Sequence, residues 1–249
     1  QFLSFPEGTE ASVRDSWCAA GVAAPWRPVL GPGSGQPHLA GDDWLIGMPT
    51  MSAIPKHLAR DLDVRCRHRI TALEPGDTGW LLRDDEGVVR LRAKRVLLAI
   101  PAPQAAALLE PVGFTGLDLL ASVVYQANWT LLVDGEDLPA AEFEATAPEE
   151  GPLGWVVNQA SKPGRDPRPT WIAQASDDWS TIHLEDEAEA VRRMLGDALS
   201  TLLGRPLGGV GTVHRWRHGI VRRAVGTAVV TDEARGLAAC GDWCLGPTV

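Results

Sequence analysis

The residues of this chain best suited to chemistry stand at its end. Gly241-Asp242-Trp243-Cys244-Leu245-Gly246-Pro247-Thr248-Val249 follows the apolar run at 236–240. The pattern predicts a short buried strand, a Gly-Asp turn at its tip and a Gly-Pro approach to a helix. A strand, a tight turn and a helix N-terminus together present backbone N–H groups to an anionic or polar ligand, and a carboxylate at the strand tip suits a sugar hydroxyl. A second polar cluster is Val213-His214-Arg215-Trp216-Arg217-His218. As a strand it sets His214, Trp216 and His218 on one face and Arg215 and Arg217 on the other. Two readings fit: an edge strand whose arginines pair with surface acids, or a wall that turns His214 and Trp216 into a substrate cavity.

Other chemistries find less support. Ser34, between Gly33 and Gly35, lies in a Pro/Gly-rich loop with no strand before it, unlike the nucleophile of a hydrolase elbow. His214 and His218 would converge on a metal if they lay on a helix, but on a strand they stand too far apart. Cys18, Cys66, Cys240 and Cys244 show no zinc spacing and read as reduced, mostly buried thiols. The ten tryptophans, against one tyrosine and four phenylalanines, are scattered, so most belong to the core. A buried indole needs a partner for its N–H, which favours a few of them beside a partly polar cavity. Lys162, in the Pro/Gly-rich loop 161–169, reads as a solvated surface charge.

With 249 residues and 45% hydrophobic side chains, the chain can bury a full core in one large or two modest domains. A net charge of -9 argues against nucleic acid or an anionic membrane surface as partner, because both require clustered excess cation. No apolar stretch reaches the ~18 residues of a membrane span. The expectation is a cytoplasmic protein whose partner is a small-molecule substrate.

These groups must be positioned by elements of two kinds. Residues 44–51 lead to Ser52, a candidate N-cap for a short helix at 53–61. Strands at 63–74, 79–83 and 88–92, separated by Pro75-Gly76-Asp77-Thr78 and Asp84-Asp85-Glu86-Gly87, form a three-stranded meander by their turn chemistry. The run Arg95-Val96-Leu97-Leu98-Ala99-Ile100-Pro101 reads as a strand covered on both faces in a parallel layered sheet, followed by a helix at 104–109. Beyond residue 115 the pattern changes to strands at 122–133, 153–159, 170–175 and 209–216, with one amphipathic helix at 185–203 announced by Asp177-Asp178-Trp179-Ser180.

In that order, the strand–meander–buried-strand unit closing in Ala-Ile-Pro-Ala-Pro-Gln, the phrases Ala-Ser-Asp-Asp-Trp-Ser and His-Arg-Trp-Arg, and the terminal Gly-Asp turn resemble FAD-dependent amine oxidases, especially their renalase-like branch. The resemblance implies FAD as cofactor. It implies that Gly241 and Asp242 belong to the cofactor site, with Asp242 holding the ribityl chain, that Thr248 and Val249 place amides at the pyrimidine edge, and that Met48 and Pro49 approach the ring. By the same likeness the Ile70 amide reads the adenine edge, Ala99 and Pro101 return beside the cofactor, and Trp155, Trp171, His214 and Trp216 face the substrate. Departures from the pattern are Asp177-Asp178 in place of Pro-Glu and Thr50 where glycine is common.

The implied fold class is α/β plus α+β: a layered FAD/NAD(P)-binding domain, represented in part, with an inserted antiparallel-sheet substrate domain. Residues 1–46 would be a substrate-domain segment and loop, 47–110 an FAD-binding segment with the meander, 111–230 the substrate domain, and 231–249 the closing FAD-binding strand and turn. No G-x-G-x-x-G stands between an early strand and helix. The chain is therefore expected to be an interior portion lacking that segment and the C-terminal helix, whether trimmed, incompletely represented or derived from a protein that lost its nucleotide site. The implied activity is hydride transfer from an amine or a dihydronicotinamide-type substrate to flavin, with reoxidation by oxygen. The rival is a flavin-free binding or scaffold protein on a degenerate oxidase fold.

Overall fold

The computed structural model describes residues 3, 11–31, 33, 44–135, 138, 141–207 and 211–246. Its first elements in chain order are α1 (Ala11–Ala19), β1 (Ala23–Pro25), β2 (Leu45–Gly47), α2 (Ala53–Leu58), β3 (Ile70–Gly76), β4 (Gly79–Asp84), β5 (Val89–Ala93), β6 (Val96–Leu98) and α3 (Ala102–Leu109). There follow α4 (Leu117–Ala121), β7 (Val124–Asp134), β8 (Ala145–Thr146), β9 (Leu153–Asn158), β10 (Thr170–Ala175), α5 (Asp177–Ile182), α6 (Ala188–Leu202), β11 (Gly211–Arg223), β12 (Val230–Asp232) and β13 (Leu237–Ala239). They form two compact units, one within 1–61 and 126–219, the other within 62–125 and 220–247. The divisions thus fall inside β7 and β11, each an unbroken strand, where the sequence pattern placed domain changes at 110/111 and 230/231.

The first unit is built on a five-stranded sheet in the order β11-β7-β10-β9-β8. Strict alternation of buried and half-buried side chains along β10 shows how the period of two sorts residues onto two faces. One face carries Trp129, Leu131, Val133, Val156, Trp171 and Ala173, and α6 covers it with Val191, Leu195 and Leu199. Those three recur at helical spacing, so a single stripe of α6 meets the sheet. The opposite face carries Thr130, Leu132, Trp155, Val157, Ile172 and Gln174, and borders the cavity described below. The hairpin-like pair β1 and β2 joins this unit through the buried indoles of Trp26 and Trp44.

The second unit combines the antiparallel meander β3-β4-β5 with a mixed sheet in the order β12-β13-β6, in which β13 and β6 are parallel. Its core joins Leu73, Trp80 and Leu82 of the meander to Val96, Leu237 and Ala239 of the mixed sheet and to Ala105 and Leu109 of α3.

Several expectations are corrected. The first meander strand begins at Ile70, not at residue 63: Arg67 takes φ 63°, a conformation that ends extended pairing, within an exposed, arginine-rich stretch. Ser52 does not cap α2; it is already helical in φ and ψ, and its hydroxyl meets that of Thr50 at 2.8 Å. The expected helix at 185–203 starts at Ala188, because Glu185 is drawn to Arg217 and Arg215, and Asp177–Ile182 forms a separate helix. The strand β6 is shorter than expected and is covered on one face alone among the described residues: Leu97 is 59% exposed while Val96 is buried.

Candidate functional site

The sites are two, one in each unit. In the first unit, the face of the sheet opposite α6 borders a cavity of about 390 Å³, a volume suited to a small organic ligand. Thr130 and Leu132 of β7, Trp155 and Val157 of β9, Ile172 and Gln174 of β10 and Trp216 of β11 form its wall. The turn after β2 contributes Thr50 and Met51, and the loop after β9 contributes Gln159, Lys162 and Arg165.

Of the residues assigned to substrate, the structure brings Trp155 and Trp216 to this cavity. His214 lies against the Trp216 ring with centroids 4.1 Å apart, as residues two apart on one strand face should. Trp171 does not join them. Its neighbour Ile172 lines the cavity, so period-two alternation sends Trp171 to the other face, where it is fully buried against Phe143. Met48 and Pro49 sit in the turn after β2, directly before Thr50 and Met51, and Met48 packs on Gly164. The arginines opposite His214 and Trp216 pair with Glu185, Arg217 at 2.6 and 2.8 Å and Arg215 at 3.1 Å. The pairing of the arginines with a surface acid is therefore present on one face, while on the other Trp216 borders the cavity and His214 packs on its ring without lining it.

Lys162 is the residue that sequence reasoning misplaced. It is 3% exposed, with its ammonium 4.9 Å from the Trp26 ring, a cation over an indole face. The cause is local: the side chain of Asn158 accepts the amide of Ala160 at 3.0 Å, winding Gln159–Ser161 into a 3-10 turn that folds the chain back. An Asn two residues before Ala-Ser was the signal available in the sequence. Burial pulls the Lys162 ammonium down to about 8, and the nearby positive charge of Arg165 acts in the same direction. Trp26, Trp44 and Trp155 continue from it as a row of indoles, with centroids 5.6 and 5.9 Å apart.

In the second unit, four of the residues assigned to the cofactor gather at one edge. The strands β6 and β13 are parallel and in register, Leu98 opposite Ala239, so both end at the same side. Ala99 and Pro101 follow one tip, Gly241 and Asp242 the other, and the Cys240 amide still donates to the Leu98 carbonyl at 2.9 Å. The Trp243 indole donates to the Ile100 carbonyl at 3.0 Å, tying the two tips together. A Cβ on Gly241 would run into that indole, so the turn requires glycine. Asp242 is exposed at the tip. The single tyrosine, Tyr125, accepts the Ala102 amide at 3.0 Å at the start of α3. Burial raises its phenol above the ordinary value, and the negative charge of Asp242 adds to the rise. Ligands of open α/β sheets bind outside the carboxyl ends of parallel strands, and this edge has that geometry. Ile70 opens β3 in the separate meander sheet. Thr248 and Val249 lie outside the described residues.

A protein assigned as a protoporphyrinogen oxidase from Exiguobacterium sp. 255-15 is similar to this chain with a TM-score of 0.60 and 18% identity, over 82% of this chain and 48% of that one. A putrescine oxidase solved with putrescine bound is similar with a TM-score of 0.51 and 19% identity, over 72% and 41%. The chain shares its fold with these two oxidases. At these identities the likeness is one of fold, and the chain spans about half the length of the oxidases it matches. No sequence-family profile matches it. Among the described residues, no helix is long and apolar enough to cross a membrane, and no cluster of three or more His, Cys, Asp or Glu could hold a metal ion.

Proposed function

We propose that this chain is part of a renalase-like FAD-dependent oxidoreductase that takes a hydride from a flat-ringed, dihydronicotinamide-type substrate in preference to a simple amine. The observation that carries the reading is the parallel pair β6 and β13, whose tips set Ala99, Pro101, Gly241 and Asp242 at one edge in a chain with an oxidase fold. These residues suit FAD: Gly241 allows close backbone approach, and the exposed Asp242 carboxylate can accept hydrogen bonds from the ribityl hydroxyls. Met48 and Pro49, and the amides of Thr248 and Val249, would serve the ring, and Ile70 the adenine.

When bound, the flavin would supply the two-electron acceptor for this chemistry. The chain's own residues would bind and orient. Trp155 and Trp216 would offer indole faces for a ring to lie against, His214 would steady Trp216, and Leu132, Val157 and Ile172 would add apolar contact. The preference for a ring over an amine rests on the charge of this cavity, whose ionic lining residues are Lys162 and Arg165.

The test is the absorption spectrum of the purified full gene product, followed by anaerobic mixing with each substrate class. Bound flavin that bleaches faster with a dihydronicotinamide than with primary amines is expected. A colourless protein that does not take up added FAD would overturn the reading and leave the flavin-free binding protein in its place.

A further inference from the structure

The cavity of the first unit is unbalanced in its polar chemistry. Its wall is largely apolar and aromatic, with Thr130 and Gln174 the polar side chains on it, while the loop after β9 brings a cluster of hydrogen-bond donors. Lys162 contributes a buried ammonium and Arg165 a half-buried guanidinium, and no Asp or Glu is among the described residues that line it. The carboxamide nitrogen of Gln159, on the same loop, is buried without a hydrogen-bond partner among the described residues. The Thr130 hydroxyl on the wall already donates to Asn128 at 3.0 Å. The Gln159 amide nitrogen is thus a desolvated donor without an acceptor, a standing cost that a ligand oxygen would relieve.

We propose that this cavity binds a flat-ringed substrate bearing a carboxylate, the carboxylate held by Lys162, Arg165 and Gln159 and the ring lying between Trp155 and Trp216. The inference rests on the reading of this cavity as the substrate site and deepens it by naming the substrate's charge. A carboxylate accepts from all three groups, and the planar guanidinium matches its two oxygens. The ammonium of an amine would meet two like charges, which selects against it. A phosphate shares the acceptor chemistry but offers no ring for the two indoles.

Calorimetric titration of the full gene product with nicotinate, nicotinamide, benzylamine and inorganic phosphate tests the proposal. Nicotinate should bind at least about tenfold more tightly than nicotinamide, its neutral near-isostere, and more tightly than phosphate, with no binding of benzylamine. Lys162→Met and Arg165→Met should each weaken nicotinate by about tenfold and leave nicotinamide unchanged. Arg165, on a partly exposed loop, keeps the test sound should the Lys162 variant fail to fold. Nicotinamide or benzylamine binding as well as nicotinate, phosphate binding better than it, or nicotinate failing to bind at millimolar concentration would each overturn the proposal. The absorption spectrum of the same sample separates it from the flavin reading. Nicotinate binding in a flavin-free protein keeps this inference and removes the oxidoreductase, whereas a flavoprotein that prefers amines does the reverse.

Discussion

At the scale of single residues, Lys162 and Asp242 carry the sharpest expectations. The Lys162 ammonium is drawn from the ordinary 10.5 to about 8 in the folded chain. Between those values the unfolded chain holds the proton that the folded chain has released, so stability should rise with pH across that window. Below about pH 8 both states are charged and the full cost of burying the ammonium is present. Lys162→Met should abolish the alkaline rise, as read from denaturant melts at a series of pH values; an unchanged slope would place the titration elsewhere. Asp242→Ala in the full gene product should weaken FAD binding by roughly 1.5 to 3 kcal/mol, the range for a hydrogen bond to a charged group, while leaving the melting profile intact. Unaltered flavin retention would remove Asp242 from the cofactor site. The position of Asp242 at a strand tip was legible because a Gly-Asp turn after an apolar strand is a local signal. Lys162 was not, because its burial depends on where a 3-10 turn aims the chain.

At the scale of elements, alternation along the paired strands β9 and β10 separates two tryptophans that the sequence had grouped. Trp155 and Trp171 lie on adjacent strands but on opposite faces, and strand pairing, not spacing along the chain, decides which indoles share a cavity. The Trp171 indole N–H is buried without a hydrogen-bond partner among the described residues, so its worth lies in volume. Trp171→Ala should cost about 3 to 5 kcal/mol by the usual measure of a large core truncation, and Trp171→Phe a fraction of that, since it also removes the orphan donor. Equal losses in chemical denaturation would show that the N–H is met after all. The strand tips offer a parallel test. Gly241→Ala should displace Trp243 from Ile100 and destabilise by roughly 1 to 3 kcal/mol, as overpacking does.

At the scale of the whole molecule, the meander, the parallel strand and the helix that follows were legible in the sequence because turn residues and periodicity are local. The points of division were not, since β7 and β11 each run through one as a continuous strand whose composition does not change there. Acid stability is also set by unannounced partners. Burial alone would raise Asp84, but Arg90 and the amides of Val88 and Glu86 hold it below the ordinary 3.8. Asp232 is likewise raised by burial but held down by the amides of Thr115 and Arg235 and by the Arg235 guanidinium. Their contributions are present above the ordinary carboxylate value and lost as pH falls below it. Asp84→Asn with Asp232→Asn should therefore flatten the acid limb of a pH melt, and a limb of unchanged steepness would refute their part in it. The row Trp26, Trp44 and Trp155 has an optical consequence. Indoles about a ring's width apart exchange excitation, and an ammonium fixed over the first of them shifts its emission. The tryptophan fluorescence of this protein should thus carry a red- or blue-shifted component that changes when Lys162 loses its proton or when a ligand touches Trp155, making the cavity its own dye.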